Sequence, residues 1–123
     1  MYAERIVVSV TTDASGAATA YSPSIPYGQL STIRYVKTDF DAGVDFNITL
    51  ESTGETLWAE NDVNASATRA PRQATHSTAG AAALYAAGGV AVLAPIPIAN
   101  DRIKIVVASG GNVKSGSFHF VIR

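Results

Sequence analysis

The sequence predicts an all-β protein, an antiparallel β-sandwich or jelly roll of seven to eight strands with one short helix as an option. Valine, isoleucine and threonine number 12, 9 and 11, whereas leucine numbers 5, and β-branched side chains suit a pleated sheet. Short apolar segments are separated by turns rich in Gly, Pro, Asp and Asn, which is typical of sandwiches. No strand–helix–strand alternation indicates a parallel sheet. The 123 residues fit a single domain over 1–123.

The first half of the chain predicts five strands. Residues 4–12 alternate around apolar positions, and a turn at 13–16 leads to a short segment at 17–21, so these two segments predict a hairpin. Pro23 and Pro26 delay the next strand to residues 30–38, because proline has no amide donor for a ladder. Two further strands follow a turn at Asp39–Gly43.

The clearest strand signal lies between Val44 and Glu51, where apolar and polar residues alternate without exception. This pattern predicts one buried face and one wet face. The next strand covers 55–60. At the C-terminal end, residues 101–109 and 118–122 predict a hairpin whose long tip is the loop 110–116.

Between residues 61 and 97 the alternation fails, and the segment is dense in Ala, Ser, Thr and Gly. Residues 79–87 fit a short helix capped by Ser77 or Thr78 and ended by Gly88, or equally an extended strand of small residues. Residues 90–98 re-enter the sheet at an edge because they contain two prolines. An excursion this long predicts a binding loop or arm that orders against a neighbour.

Low charge is concentrated in the same segment. Charged residues make up 15% of the chain, against about 25% in ordinary soluble domains, and residues 73–100 contain no Asp, Glu, Lys or Arg. The run is too rich in Ala, Leu and Val for a simple solvated loop. We therefore expect the excursion, together with the N-terminal strand, to contact a partner. The candidate partner-binding residues are Arg69, Arg72, His76, Leu84, Tyr85, Val90, Val92 and Leu93.

Charge is also distributed unevenly along the chain. Residues 1–63 carry nine acidic and three basic side chains, whereas residues 64–123 carry one acidic and six basic side chains. Antiparallel pairing could place strands of the acidic half beside strands of the basic half, so that their opposite charges cancel. Alternatively, the subunit has an acidic face and a basic face, which would suit head-to-tail or capsid contacts.

Composition excludes many chemistries. Without cysteine there is no disulfide, thiolate nucleophile or cysteine-bound zinc, and the net charge of -1 disfavours direct nucleic-acid binding. The acidic turn Asp39–Asp45 fails the EF-hand spacing, and the loop Gly110–Ser115 lacks the glycine that a phosphate loop has before its lysine. No Gly-x-Ser-x-Gly elbow occurs. We expect no catalysis, no metal and no cofactor.

Targeting and membrane signals are also missing from the sequence. The N-terminal residues lack a basic n-region, and no apolar run approaches the ~20 residues of a membrane helix. Trp58 and the five tyrosines would permit an aromatic platform for a sugar, although a strand Trp is more often a core residue. A carbohydrate-binding β-sandwich module therefore stays open as an alternative class.

Four segments resemble small β-rich virion proteins of tailed bacteriophages. These are Arg34–Phe46, Asn61–Ala67, Asn100–Gly111 and Lys114–Phe120, and the similarity spans residues 30–123. The resemblance implies a capsid decoration or cement protein, located on the capsid surface of the virion and made in the host cytoplasm. It implies the major capsid protein or other virion subunits as partners, with a homo-oligomeric or lattice-associated state. A neck or tail component is the alternative within the same group.

Overall fold

A computed structural model describes residues 3–123, and within this range the chain forms ten β-strands and no helix. Two antiparallel sheets pack together, which confirms the predicted β-sandwich. The chain has more strands than expected because two short ones occur inside the irregular segment. The strands are β1 (Glu4–Thr11), β2 (Ala18–Tyr21), β3 (Ile25–Lys37), β4 (Asp45–Leu50), β5 (Thr56–Glu60), β6 (Ala67–Arg69), β7 (Arg72–Ala74), β8 (Leu93–Asp101), β9 (Ile103–Ala108) and β10 (Ser115–Ile122).

The first sheet has the order β1-β10-β3-β8-β7, and β6 pairs with β3 beside this path. The second sheet has the order β2-β9-β4-β5. Both predicted hairpins are wrong, because β1 pairs with β10 and β2 pairs with β9. The β1–β2 connection and the β9–β10 connection instead each pass from one sheet to the other, and they lie side by side. They are tied together by the Gly110 N–H, which donates to the Gly16 carbonyl at 2.9 Å, and by the buried Thr12 hydroxyl, which donates to the Gly111 carbonyl at 2.6 Å.

The hydrophobic core lies between the sheets, and most of it comes from inward-facing residues of β1, β3, β4, β5, β8, β9 and β10. β10 alternates throughout, with Phe118, Phe120 and Ile122 buried and the residues between them half-buried. The predicted alternation of β4 is confirmed, since Phe46, Ile48 and Leu50 are all buried. Burial of each large apolar side chain contributes about 1.5–3 kcal/mol.

Strand β3 begins at Ile25, earlier than predicted. Ile25 pairs with Asp101 and Tyr27 with Ala99, so the ladder passes Pro26 without needing its missing amide. The edge position expected from the prolines is confirmed, because the part of β8 from Ile96 onward pairs only with β3.

Candidate interaction surface

An arm formed by residues 70–95 leaves the edge of the first sheet. β6 and the second part of β8 follow one another along the same edge of β3. Between them the chain departs after Arg69, and β7 pairs with Leu93–Pro95 of β8 before the chain rejoins the sheet at Ile96. The predicted excursion over 61–97 therefore divides into two parts. Residues 61–69 belong to the sandwich, since Val63 is buried and β6 is paired.

A closed ring of three backbone hydrogen bonds holds the arm together beyond β7. The Thr75 N–H donates to Val92 at 2.9 Å, the Val92 N–H donates to Ala83 at 3.0 Å, and the Ala83 N–H donates to Thr75 at 2.9 Å. Each of the three residues thus donates to one neighbour and accepts from the other. The Thr75 hydroxyl adds a bond to the Val92 carbonyl at 2.9 Å. The ring fixes three extended segments against each other without a hydrophobic core.

Two tight turns project beyond this ring. In the first, the Gly80 N–H donates to Ser77, and in the second, the Gly89 N–H donates to Ala86. Gly80 and Gly88 have φ values of +81° and +69°, a conformation that glycine adopts readily. The helix option for residues 79–87 is therefore wrong, and no strand forms over them either, because Ala82 and Leu84 make only isolated bridges, to His76 and Ala91. These glycines reverse the chain before a helical turn can repeat.

Apolar side chains on the arm face solvent. No residue from 64 to 95 is buried, yet Tyr85 is 76% exposed and Val90 is 75% exposed. Both residues belong to the second turn, and Leu84 and Leu93, at 41% and 54%, lie near it along the arm. Exposed apolar groups gathered on one projecting element make the arm a candidate interaction surface.

The structure places most of the predicted partner-binding residues on the arm. His76, Leu84, Tyr85, Val90 and Leu93 are exposed, while Val92 is half-buried because its main chain belongs to the ring. Arg72 lies where the arm begins. Its guanidinium donates to the carbonyls of Ser31 and Pro71 at 3.0 and 2.8 Å and remains exposed.

Arg69 is placed differently and serves the sandwich itself. Its guanidinium donates two hydrogen bonds to the Glu60 carboxylate, at 2.9 and 2.8 Å, and lies 5.2 Å from the Trp58 ring centroid. The hydrogen bond from the Trp58 indole, followed by those from Arg69, outweighs burial and lowers the pKa of Glu60. Because Glu60 lies on β5 and Arg69 on β6, the cluster joins the two sheets. The only sequence signal for this cluster is that Trp58 and Glu60 are two residues apart on one strand, which places their side chains on the same face.

The N-terminal strand, the second predicted contact element, forms the free edge of the first sheet. β1 pairs with β10 on one side only. Near its start, an open cleft of about 720 Å³ has a largely apolar lining that includes Ile6, Tyr27 and Ile122, together with the charged residues Glu4 and Arg123. The cleft was not predicted from the sequence, because its walls come from three separate parts of the chain: the start of β1, the β2–β3 connection with the start of β3, and the C-terminal end of β10.

Trp58 does not present an aromatic platform. It is only 6% exposed and packs edge-on against Phe46, with 5.5 Å between ring centroids. Its indole N–H donates to Glu60 at 3.0 Å. Tyr35 is fully buried, whereas Tyr27 is 81% exposed and lies on β3, away from Tyr85 on the arm.

The two histidines lie on different elements, His119 on β10 and His76 on the arm. The His119 Nε2 atom lies 3.4 Å from the Ser117 hydroxyl on the outer face of the first sheet, and no carboxylate forms an ion pair with it among residues 3–123. His76 lies on the exposed arm. Among the same residues, no group of three His, Cys, Asp or Glu side chains is arranged to hold a metal ion.

The described part of the chain contains no helix with the length and apolar character needed to span a bilayer. No protein-family model matches the chain, and no curated protein matches it either.

Proposed function

We propose that the protein is a non-enzymatic virion structural protein of a tailed bacteriophage, a decoration or cement protein that binds the major capsid protein and stabilises the head. The observation that carries the proposal is the arm, which holds exposed apolar side chains on residues 84–93, a stretch without Asp, Glu, Lys or Arg that is ordered by backbone hydrogen bonds. The resemblance of residues 30–123 to small virion proteins supports the same function.

The mechanism follows from how the arm is built. Beyond β7, seven backbone hydrogen bonds have both partners within the arm, so docking need not order that part of the main chain at the full entropic cost. Tyr85 and Val90 project from its outer turn and would enter apolar depressions between neighbouring capsid subunits. Each contact is weak, but many copies on a closed lattice add their contributions and oppose the internal pressure of the packaged genome.

Virions lacking this protein test the proposal. Deleting its gene should give particles that lose infectivity on heating or at low salt, and adding the purified chain should restore resistance. The double variant Tyr85→Ser with Val90→Ser should fold normally and fail to rebind, because it removes the apolar contacts without touching the core. Its matched control is Tyr21→Ser with Val113→Ser, which changes the same residue types, also exposed, off both the arm and the N-terminal strand.

Copy number separates the head from the neck and tail. A head lattice requires hundreds of copies for each virion, whereas a component on the tail axis is present in about six or twelve. Quantitative mass spectrometry or an electron-microscopy map of the particle gives this number. Unchanged stability of the deleted virions, or equal rebinding of both double variants, would sink the head-stabilising role.

A further inference from the structure

The outer face of the first sheet carries basic side chains and no acidic ones. Register places Arg34 beside His119 and Val7, and Arg5 beside Val121 and Thr32. These positions alternate with the buried residues of the same strands, so their side chains point away from the core. We call the outward positions of β1, β10, β3, β6, β8 and β7 the basic face. Its arginines are Arg5, Arg34, Arg72 and Arg123.

A notch on this face gathers two of the arginines. Arg72 and Arg123 line a shallow cavity of about 210 Å³ with Gln29, Ser31 and Pro95, and no acidic residue lines it. The main chain of Arg123 exchanges two hydrogen bonds with Gln29, at 2.8 and 2.9 Å, while the Ser31 carbonyl accepts from the Arg72 guanidinium. The main chains of both arginines are therefore held in place, and the Arg72 guanidinium is held by the Ser31 carbonyl as well. Such a set of donors suits a carboxylate, which arginine binds through parallel hydrogen bonds.

The opposite charge collects at one end of the sandwich. The connections 12–17, 38–44, 61–66 and 109–114 meet there, joined by bonds such as Asp41 N–H to Gly110 and Gly43 N–H to Asn64. We call these four connections, with the flanking residues Lys37 and Asp45, the acidic end. It carries more acidic than basic side chains, namely Asp13, Asp39, Asp41, Asp45 and Asp62 against Lys37 and Lys114.

Neither set of charges forms an ion pair within residues 3–123. Residues 3–123 contain two ion pairs, Arg69 with Glu60 and Arg102 with Glu51. No residue of the basic face or of the acidic end takes part in either pair. The fold therefore places basic side chains on one face and acidic side chains at one end, and Arg5 and Arg34 of the basic face come from the acidic half of the sequence.

We propose that the basic face of one subunit binds the acidic end of a second copy of this chain, with a carboxylate of the acidic end seated between Arg72 and Arg123. The choice of occupant rests on charge complementarity, since both halves of the contact are present on one molecule and unpaired in it. A contact between two different surfaces is head-to-tail and extends into rings or chains. The inference does not depend on the arm or on the proposed virion function.

Sedimentation velocity of the purified full chain tests the inference. Association should appear with rising protein concentration in about 20 mM salt and disappear in about 500 mM salt, where screening shortens to a few ångströms. The variants Arg72→Gln with Arg123→Gln, and Asp41→Asn with Asp62→Asn, should each raise the dissociation constant about tenfold. Lys104→Gln and Glu55→Gln, at charged positions outside both surfaces, should leave it unchanged.

Charge reversal sharpens the test. Arg72→Glu with Arg123→Glu, and Asp41→Lys with Asp62→Lys, should each be monomeric alone and associate when mixed, because the two unaltered surfaces still fit each other and the two reversed surfaces are again opposite in charge. Circular dichroism of each variant establishes that it is folded.

Three results would overturn the inference. The first is a wild-type chain that stays monomeric at low salt. The second is association that persists at high salt and is removed by Tyr85→Ser with Val90→Ser, which would assign it to the arm. The third is arginine-dependent binding of a single-stranded oligonucleotide without self-association, which would assign the basic face to nucleic acid.

Discussion

Tyr35 occupies the centre of the aromatic cluster between the sheets. Its ring lies 4.6 Å from that of Phe46 and 5.3 Å from that of Phe118, measured between centroids. The side chain is fully buried, and its hydroxyl has no hydrogen-bond partner among the described residues. Burial alone raises the pKa of Tyr35 to about 12, because the charged phenolate is poorly solvated there.

Replacing Tyr35 by Phe should stabilise the protein. The Tyr35→Phe variant keeps the ring contacts and removes a buried hydroxyl without a partner, so we expect the free energy of unfolding to rise by about 1 kcal/mol at pH 7. Urea denaturation followed by Trp58 fluorescence measures this difference. Tyr27→Phe is the matched control, because its side chain is already in solvent. A loss of stability in Tyr35→Phe would mean that the hydroxyl has a partner.

At alkaline pH, the raised pKa of Tyr35 should be detectable as a loss of stability. The folded pKa of about 12 exceeds the unfolded value of about 10, so the stability that this group contributes is complete below pH 10. It is lost as pH rises from 10 to 12, at about 1.4 kcal/mol for each pH unit. The wild type should therefore weaken faster than Tyr35→Phe over this range. Parallel stability curves for the two proteins would contradict the assignment.

At the scale of elements, the arm combines ordered backbone with exposed side chains. Its order depends on the ring formed by Thr75, Ala83 and Val92 rather than on burial. Elements with few buried contacts open at lower free energy than the core of the same protein. The arm should therefore unfold locally while the sandwich stays intact.

Val92→Pro tests this division. Proline removes the N–H that Val92 donates to Ala83 and so breaks the ring. We expect rapid elastase cleavage within the arm, with the urea midpoint of the sandwich unchanged. Trypsin cannot report on this segment, since residues 73–100 contain no Lys or Arg. Thr78→Pro is the control, because it occupies the second position of a turn, where proline is favoured and the ring is untouched.

Cleavage of the wild type at the same rate as Val92→Pro would show that the ring does not hold the arm. A lowered urea midpoint in Val92→Pro would show that arm and sandwich unfold together.

Elements governed by side-chain periodicity could be predicted from the sequence, whereas strand partners could not. The alternation of Phe46, Ile48 and Leu50 reports burial directly, because successive residues of a strand face opposite sides. Pairing of β1 with β10 joins residues more than a hundred positions apart, and no local pattern specifies it. The arm lacked both signals, since its alanines and glycines fit either a helix or an extended chain. Its exposed apolar residues were nevertheless found through the missing charge.

At the scale of the molecule, ionisable groups hold the sandwich together at its corners. Asp101 lies at the corner between β8 and β9, where its carboxylate accepts hydrogen bonds from the Ser52 and Arg102 main-chain N–H groups at 3.0 and 2.8 Å. Desolvation raises the pKa of Asp101, but the hydrogen bonds outweigh it and the pKa lies below its ordinary value. The pKa of Glu60, between the sheets, is lowered as well, first by the Trp58 indole and then by Arg69.

Acid should therefore destabilise the whole fold. A carboxyl group whose folded pKa is lowered contributes stability above its unfolded pKa of about 4, and this stability is lost as pH falls through the folded value. We expect the urea midpoint to be constant from pH 7 to pH 5 and to fall steadily below pH 4. Asp101→Asn should cost about 1 kcal/mol at pH 7, because it weakens two charge-assisted hydrogen bonds, and should reduce the acid-induced loss. Glu55→Gln serves as the control, because the Glu55 side chain makes no hydrogen bond among the described residues. If Asp101→Asn lost as much stability in acid as the wild type does, the Asp101 carboxylate would not have this role.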